Sequence, residues 1–141
     1  MTPSQIELVQ SSFDKVLPNA HEAVALFYSR LFHLDPSVRR LFSSDLRQQG
    51  RKLMDMLSIA VGSLDKLDRI LPAVRALGQR HVAYGVRESH YETVGSALLW
   101  TLEQDLGSDW SAELANAWGT AYALLARTMR GAVAEIEAVA V

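Results

Sequence analysis

The sequence predicts an all-α fold. Apolar residues recur at spacings of three and four, capping residues and prolines separate these stretches, and nothing alternates with period two for long enough to form a sheet. A chain of 141 residues with 49% hydrophobic content can bury one core and still line an apolar pocket. We therefore expect a single domain over residues 1–141, built from about seven helices.

Local capping chemistry predicts the first two helices. Thr2-Pro3-Ser4-Gln5 is a capping box with proline at the first helical position, and the helix that it opens ends at Pro18. Asn19, followed by Glu22, starts the second helix, which gives way to a short helical turn capped by Asp35-Pro36. The predicted apolar faces are Ile6, Val9, Phe13 and Val16 in the first helix and Val24, Phe27, Tyr28, Leu31 and Leu34 in the second.

Polar segments, proline and glycine delimit the remaining helices. Their predicted bounds are Ser43-Ser44-Asp45 to Gly62-Ser63, Pro72 to His81, the region Arg87 to Ser89 onward to Leu106-Gly107, and about Ser111 to Glu137. Each of these four helices has a predicted inward face. The inward residues are, in the order of the helices, Gln49, Leu53, Met56 or Leu57, and Ala60 in the first; Val74, Leu77 and His81 in the second; Tyr91, Val94, Leu98 and Leu102 in the third; and Leu114, Trp118, Tyr122, Leu125 and Met129 in the last.

Composition excludes several classes of function. The formal net charge is −2 and the basic residues are interspersed with acidic ones, so neither nucleic acid nor an anionic membrane surface is an expected partner. The absence of cysteine excludes disulfides and thiolate metal ligands. No basic segment followed by an apolar run opens the chain, and we expect a soluble, cytoplasmic protein.

Motifs spread over residues 6–136 match a known family jointly, although each would be weak alone. They are the Pro36 corner, Phe42, Gln49-Gly50-Arg51-Lys52-Leu53, His81, Val86-Arg87-Glu88-Ser89-His90-Tyr91, Ala117-Trp118-Gly119-Thr120-Ala121-Tyr122 and Ala134-Glu135-Ile136. With these motifs the chain resembles bacterial single-domain globins and the haem domain of flavohaemoglobins. The resemblance implies the globin fold around haem b, which a chain without cysteine must hold non-covalently.

The resemblance implies that His81 is the proximal ligand of the haem iron, since neutral imidazole at a helix end suits that role. It also implies that Tyr91 and Glu135 lie behind His81 and make its imidazole a more basic donor. Other readings stay open, because histidine is often half-buried in cores, Tyr91 could be a core aromatic residue and Glu135 a solvated one. The remaining histidines, His21, His33 and His90, have no assigned role.

On the opposite, distal side of the haem, the resemblance implies Tyr28, Gln49 and Leu53. Globins commonly have histidine where this chain has Gln49, so we expect a five-coordinate ferrous haem with an open sixth position. Tyr28 and Gln49 can each donate a hydrogen bond to bound dioxygen, which predicts high oxygen affinity. Alternatively, the Tyr28 hydroxyl lies at the surface and Gln49 is solvated.

The remaining predicted contacts with haem come from residues around the porphyrin. Phe42 is expected to wedge against the ring, although a plain core phenylalanine looks the same in sequence. Lys52 either reaches a propionate or is a solvated helix charge. Leu77, Val86 and Val94 complete the predicted cofactor-binding residues.

Two functions are consistent with these residues. One is nitric oxide detoxification, the dioxygenation of nitric oxide to nitrate, which would need an external reductase because the reductase domain of flavohaemoglobins is missing here. The other is storage, scavenging or delivery of dioxygen without turnover; gas sensing would need an output domain. We expect O₂, NO and CO as small ligands, and a monomer or weak dimer.

Overall fold

The computed structural model describes residues 1–42, 45–83 and 88–140, with residues 81–83, 88 and 130–140 described as backbone only. Six α-helices and four short 3₁₀ segments occupy most of these residues, and no strand occurs among them. The helices are α1 (Pro3–Val16), α2 (Ala20–Leu34), α3 (Leu46–Gly62), α4 (Leu67–Ala83), α5 (Glu88–Leu106) and α6 (Ala112–Ala140). The 3₁₀ segments are Leu17–Asn19, Pro36–Leu41, Leu64–Lys66 and Gly107–Asp109. The all-α prediction is confirmed.

The start of α1 is the predicted capping box. The Thr2 hydroxyl accepts a hydrogen bond from the Gln5 amide at 3.1 Å, and the Gln5 side-chain oxygen accepts one from the Thr2 amide at 2.9 Å. The predicted start of α2 at Asn19 is confirmed, because the helix begins at Ala20 with Asn19 as its N-cap residue. The Asn19 side chain makes no capping hydrogen bond, and in the 3₁₀ turn before the helix the Leu17 carbonyl accepts one from the Ala20 amide.

The predicted start of α4 at Pro72 is wrong. The helix begins at Leu67, and Pro72 lies inside it, where it lacks the amide that would bond the preceding turn. Leu64 is buried and Leu67 packs against the core. Burial of these side chains stabilises the helical turns that precede Pro72, which the proline signal did not predict.

A large core joins α1 to α3, α5 and α6. It contains buried apolar side chains from all four helices, including Val9, Val61, Leu102 and Trp118. The indole Nε1 of Trp118 donates to the Ser12 hydroxyl at 2.9 Å, which ties α6 to α1 inside this core. The Gln10 side chain donates to the Val61 carbonyl at 3.0 Å and ties α1 to the end of α3.

A second core, which includes Phe27, Leu31, Val38 and Ala97, joins α2 to the Pro36–Leu41 segment, α3 and α5. Helix α4 packs along α6, and α2 packs along α5. Leu34 was expected to face inward from α2 but is 40% exposed, since it is the last residue of the helix. Of the helices described, none is both long and apolar enough to cross a membrane.

Candidate functional site

Tyr28 lies at the centre of the second core, on the buried face of α2. Its ring contacts those of Phe27, Phe32 and Phe42 at centroid distances of 5.4, 5.8 and 5.5 Å, and we call these four residues the aromatic cluster. Phe32 is stacked on Tyr28, whereas Phe42 meets it edge-on, both of which are favourable aromatic geometries. The residue as a whole is buried, with 4% of its surface exposed.

The Tyr28 hydroxyl makes no hydrogen bond with any residue that the structure describes. Burial raises the pKa of Tyr28 to about 12, because the phenolate would lose its hydration. The group is therefore a neutral donor at physiological pH. Its donor capacity is unused among the described residues.

The Pro36 turn positions Phe42 against Tyr28. Asp35 caps this turn, its carboxylate accepting a hydrogen bond from the Ser37 amide at 3.1 Å. At the other end, the Phe42 amide donates to the Arg39 carbonyl at 3.2 Å, and the Arg39 guanidinium donates back to the Phe42 carbonyl at 3.4 Å. The turn thus fixes the backbone on which Phe42 enters the aromatic cluster.

Helix α3 brings Gln49 and Leu53 to the same side of the molecule as Tyr28. Gly50 is buried against Val24 of α2, and a side chain at position 50 would collide with it, so the two helices approach closely there. Leu53 packs against the second core, and Gln49, one turn earlier on α3, is half-buried. Lys52 is exposed.

Part of the predicted proximal side is also described. Val94 packs in the second core, Leu77 is half-buried on α4, and Tyr91 is buried on α5. The Tyr122 hydroxyl of α6 donates a hydrogen bond to the Tyr91 carbonyl, which joins α6 to the first turns of α5.

The remaining predicted residues are described incompletely. His81 lies on α4 and Glu135 on α6, but their side chains are outside the described residues, as is the whole of Val86. Their predicted roles therefore stay predictions. The structure brings together Tyr28, Phe42, Leu53 and Val94 in one core.

Sequence reasoning missed Phe32 as a member of the site. Its ring stacks on Tyr28 and contacts Phe42 at 5.7 Å, and the Arg39 guanidinium lies 5.5 Å from its centroid. The signal was present, because Phe32 follows Tyr28 by one helical turn on α2.

The described residues define an all-α protein with two apolar cores, the second of which contains Tyr28. The chain belongs to the globin family, because the Globin family matches residues 25–129.

Named relatives fall into two groups. A flavohemoprotein of Bacillus thuringiensis is 30% identical over 129 residues, which cover 89% of this chain and 32% of that protein. The chain thus spans about a third of the length of its flavohemoprotein relatives. A neuroglobin of Tetraodon nigroviridis is 30% identical over 137 residues, covering 87% of this chain and 86% of that protein.

Two solved structures share the fold over nearly the whole chain. One is an engineered carbene transferase from Rhodothermus marinus, made from a protein assigned as a nitric oxide dioxygenase. It has a TM-score of 0.87 and 27% sequence identity, and the match covers 99% of this chain and 97% of the carbene transferase chain. A bacterial globin of Campylobacter jejuni has a TM-score of 0.83 and 22% sequence identity, and the match covers 96% of this chain and 99% of that globin. The likeness to the Campylobacter protein shows the fold alone.

Membership of the globin family implies haem binding, and the residues described fit that cofactor. A porphyrin needs apolar walls, which Phe42, Leu53 and Val94 supply. A ligand on its iron needs a polar partner, and the unpaired Tyr28 hydroxyl is such a donor. Lys52 is a cation exposed next to Leu53, where a propionate could meet it.

Proposed function

We propose that this chain holds haem b through His81, binds dioxygen with high affinity on the Tyr28 side, and converts nitric oxide to nitrate with electrons from a separate reductase. In this reaction one nitric oxide, one dioxygen and one electron give one nitrate ion. The observation that carries the proposal is Tyr28, which is buried in the aromatic cluster and whose hydroxyl makes no hydrogen bond to the described residues. The flavohemoprotein relatives and the Rhodothermus marinus protein support it by likeness.

When bound, haem supplies an iron that takes up dioxygen and exchanges electrons. The protein's own part on the distal side is to hold the ligand in place. Tyr28 donates a hydrogen bond to dioxygen, whose outer atom carries partial negative charge, and the pKa of about 12 keeps the proton on its hydroxyl. Gln49 adds a second donor from α3, while the rings of Phe32 and Phe42 exclude water around Tyr28.

On the proximal side, we assign His81 as the iron ligand and Tyr91 with Glu135 as the groups that orient it and raise its basicity. A more basic imidazole favours the oxidised iron and the reduction of dioxygen. Position 49 carries glutamine and not histidine, so the chain offers the iron no strong second ligand there, and a ferrous haem bound here would be five-coordinate.

Visible spectra of the purified protein test the cofactor and its ligand. We expect a five-coordinate ferrous spectrum that changes on addition of CO. The His81→Ala variant should lose haem or hold it with an altered spectrum, whereas alanine at His21, His33 or His90 should leave the spectrum unchanged. An unaltered His81→Ala spectrum would refute the assignment, and a six-coordinate low-spin ferrous spectrum would refute the open position.

Turnover separates the enzyme from the carrier, because a single reaction with nitric oxide does not prove catalysis. With a competent reductase and air, we expect the protein to consume nitric oxide over many turnovers and to release one nitrate for each. Normal oxygen binding without sustained nitric oxide removal would contradict the enzyme and favour the alternative, a protein that stores, scavenges or delivers dioxygen.

A further inference from the structure

Gly78 of α4 lies against the backbone of α6. A Cβ built at position 78 would stand 2.6 Å from the carbonyl oxygen of Met129, 2.9 Å from its Cα and 3.1 Å from its carbonyl carbon. Atoms this close to a Cβ cannot be accommodated without movement. Glycine is therefore the residue that lets the two helices approach this closely.

The obstacle at position 78 is backbone, and that distinguishes this contact from the other close approaches. A Cβ on Gly95 would meet the ring of Tyr122 at 2.7 Å, which is a side chain and not the backbone of a neighbouring helix. The carbonyl of Met129 belongs to α6 and cannot rotate away without breaking the helix. A side chain at position 78 must instead displace α4 from α6, along which it packs extensively.

Helix α4 also carries His81, one turn after Gly78. Any displacement of α4 at Gly78 therefore moves the backbone from which His81 extends. Helix α6 fixes the start of α5 as well, through the hydrogen bond from the Tyr122 hydroxyl to the Tyr91 carbonyl. The positions of the helices that carry His81 and Tyr91 therefore both depend on contacts with α6.

We propose that Gly78 is a positioning residue for the haem iron ligand, setting the distance of α4 from α6 and with it the placement of His81. The inference rests on the proposed function, in which His81 binds the iron. Gly78 touches neither haem nor substrate and acts through the backbone of α4.

The variant Gly78→Ala tests this with Gly119→Ala as its matched control. Both replace a helical glycine by the residue with the highest helix propensity, but a Cβ at position 119 would meet nothing within 4 Å. We expect Gly78→Ala to release haem about ten- to a hundredfold faster than the wild type, the range seen when a partner that orients a metal ligand is lost. Its iron–histidine stretching band in the ferrous Raman spectrum should shift, and neither property should change in Gly119→Ala.

A second pair of variants separates positioning of His81 from general damage to the pocket. In His81→Gly supplied with free imidazole, the ligand is no longer attached to α4, so adding Gly78→Ala should leave the iron–imidazole band unchanged. A shift of the same size in this background would overturn the proposal, because Gly78 would then act on the pocket rather than through His81.

The contact itself can be measured without any variant, which keeps the proposal testable if Gly78→Ala does not fold. In the CO-bound, diamagnetic wild type, a nuclear Overhauser effect should join the α-protons of Gly78 and Met129. Its absence would overturn the inference. If the wild type shows a histidine–iron band and Gly78→Ala leaves that band unmoved, only this inference is refuted. If the wild type shows no such band, the proposed function is refuted.

Discussion

Replacing Tyr28 by phenylalanine should stabilise the haem-free protein and weaken its hold on dioxygen. The substitution removes one hydroxyl and retains the ring, so the contacts within the aromatic cluster survive. We expect effects of opposite sign because the hydroxyl makes no hydrogen bond within the described part of the protein, whereas in our proposal it donates to the bound ligand. Few other substitutions would separate stability from function so directly.

The magnitudes follow from the burial of Tyr28. The Tyr28 hydroxyl is partly desolvated and makes no hydrogen bond to the described residues. Because a fully buried polar group without a partner costs about 1–3 kcal/mol, removing this partly buried one should raise the free energy of unfolding of the haem-free protein by at most about 1 kcal/mol, or its Tm by at most about 3–5 °C. Losing a hydrogen bond of about 1.5–3 kcal/mol to bound dioxygen should raise the oxygen dissociation rate about ten- to a hundredfold.

Two assays measure these effects, and two variants control them. Denaturant or thermal unfolding of the haem-free protein gives the stability, and replacement of bound oxygen by CO gives the dissociation rate. CO carries little charge on its outer atom, so its own release should change much less. Tyr122→Phe should lose stability instead, since its hydroxyl already donates to the Tyr91 carbonyl, and Gln49→Leu should speed oxygen release more weakly than Tyr28→Phe.

Either half of the result can refute the reasoning. If Tyr28→Phe destabilises the haem-free protein, the hydroxyl has a partner in the folded chain and is not a free donor. If oxygen release is unchanged, Tyr28 does not hold the ligand, whatever its effect on stability.

Two further predictions concern structural hydrogen bonds. Ser12→Ala leaves the buried Trp118 indole without an acceptor and should cost about 1–3 kcal/mol in unfolding experiments, whereas Ser11→Ala, on the exposed side of α1, should change stability by less than about 0.5 kcal/mol. The Ser37 hydroxyl and amide lower the pKa of Asp35, so the stability from this cap is present above the ordinary value of 3.8 and lost as pH falls through the lowered pKa. An NMR titration should find that Ser37→Ala returns the Asp35 pKa toward 3.8, and an unchanged pKa would contradict the hydrogen bond from the Ser37 hydroxyl to the Asp35 carboxylate.

The sequence predicts best those helix ends that are fixed by hydrogen bonds between a capping side chain and a nearby backbone amide. The capping box at Thr2 and the caps at Asp35 and Asp45 are sequence signals that the structure satisfies through bonds within three residues. The start of α4 depended on burial of Leu64 and Leu67 against distant helices, which no local signal reports. Pro72 was therefore read as a boundary although tertiary packing carries the helix through it.

The candidate site was predictable to the extent that it follows helical periodicity. Tyr28 and Leu53 lie on the inward faces expected for α2 and α3, and they share a core with Phe42 and Val94. The contact of Gly78 with Met129 could not be predicted from the sequence. It joins the backbones of two helices, and no sequence pattern indicates which residue a helical glycine contacts. Its role had to be read from the approach of α4 to α6.

The polar groups inside the fold follow the rule that buried donors are paired. The Trp118 indole donates to Ser12, and the Thr101 hydroxyl donates to the Ala97 carbonyl at 2.8 Å, so both buried donors are satisfied inside the protein. The half-buried Tyr122 side chain likewise donates from its hydroxyl to the Tyr91 carbonyl. Tyr28 differs, because the residue is buried while its hydroxyl makes no hydrogen bond to the described residues. Phenylalanine would make the same ring contacts, so our proposal that the hydroxyl receives a ligand gives a reason for tyrosine at position 28.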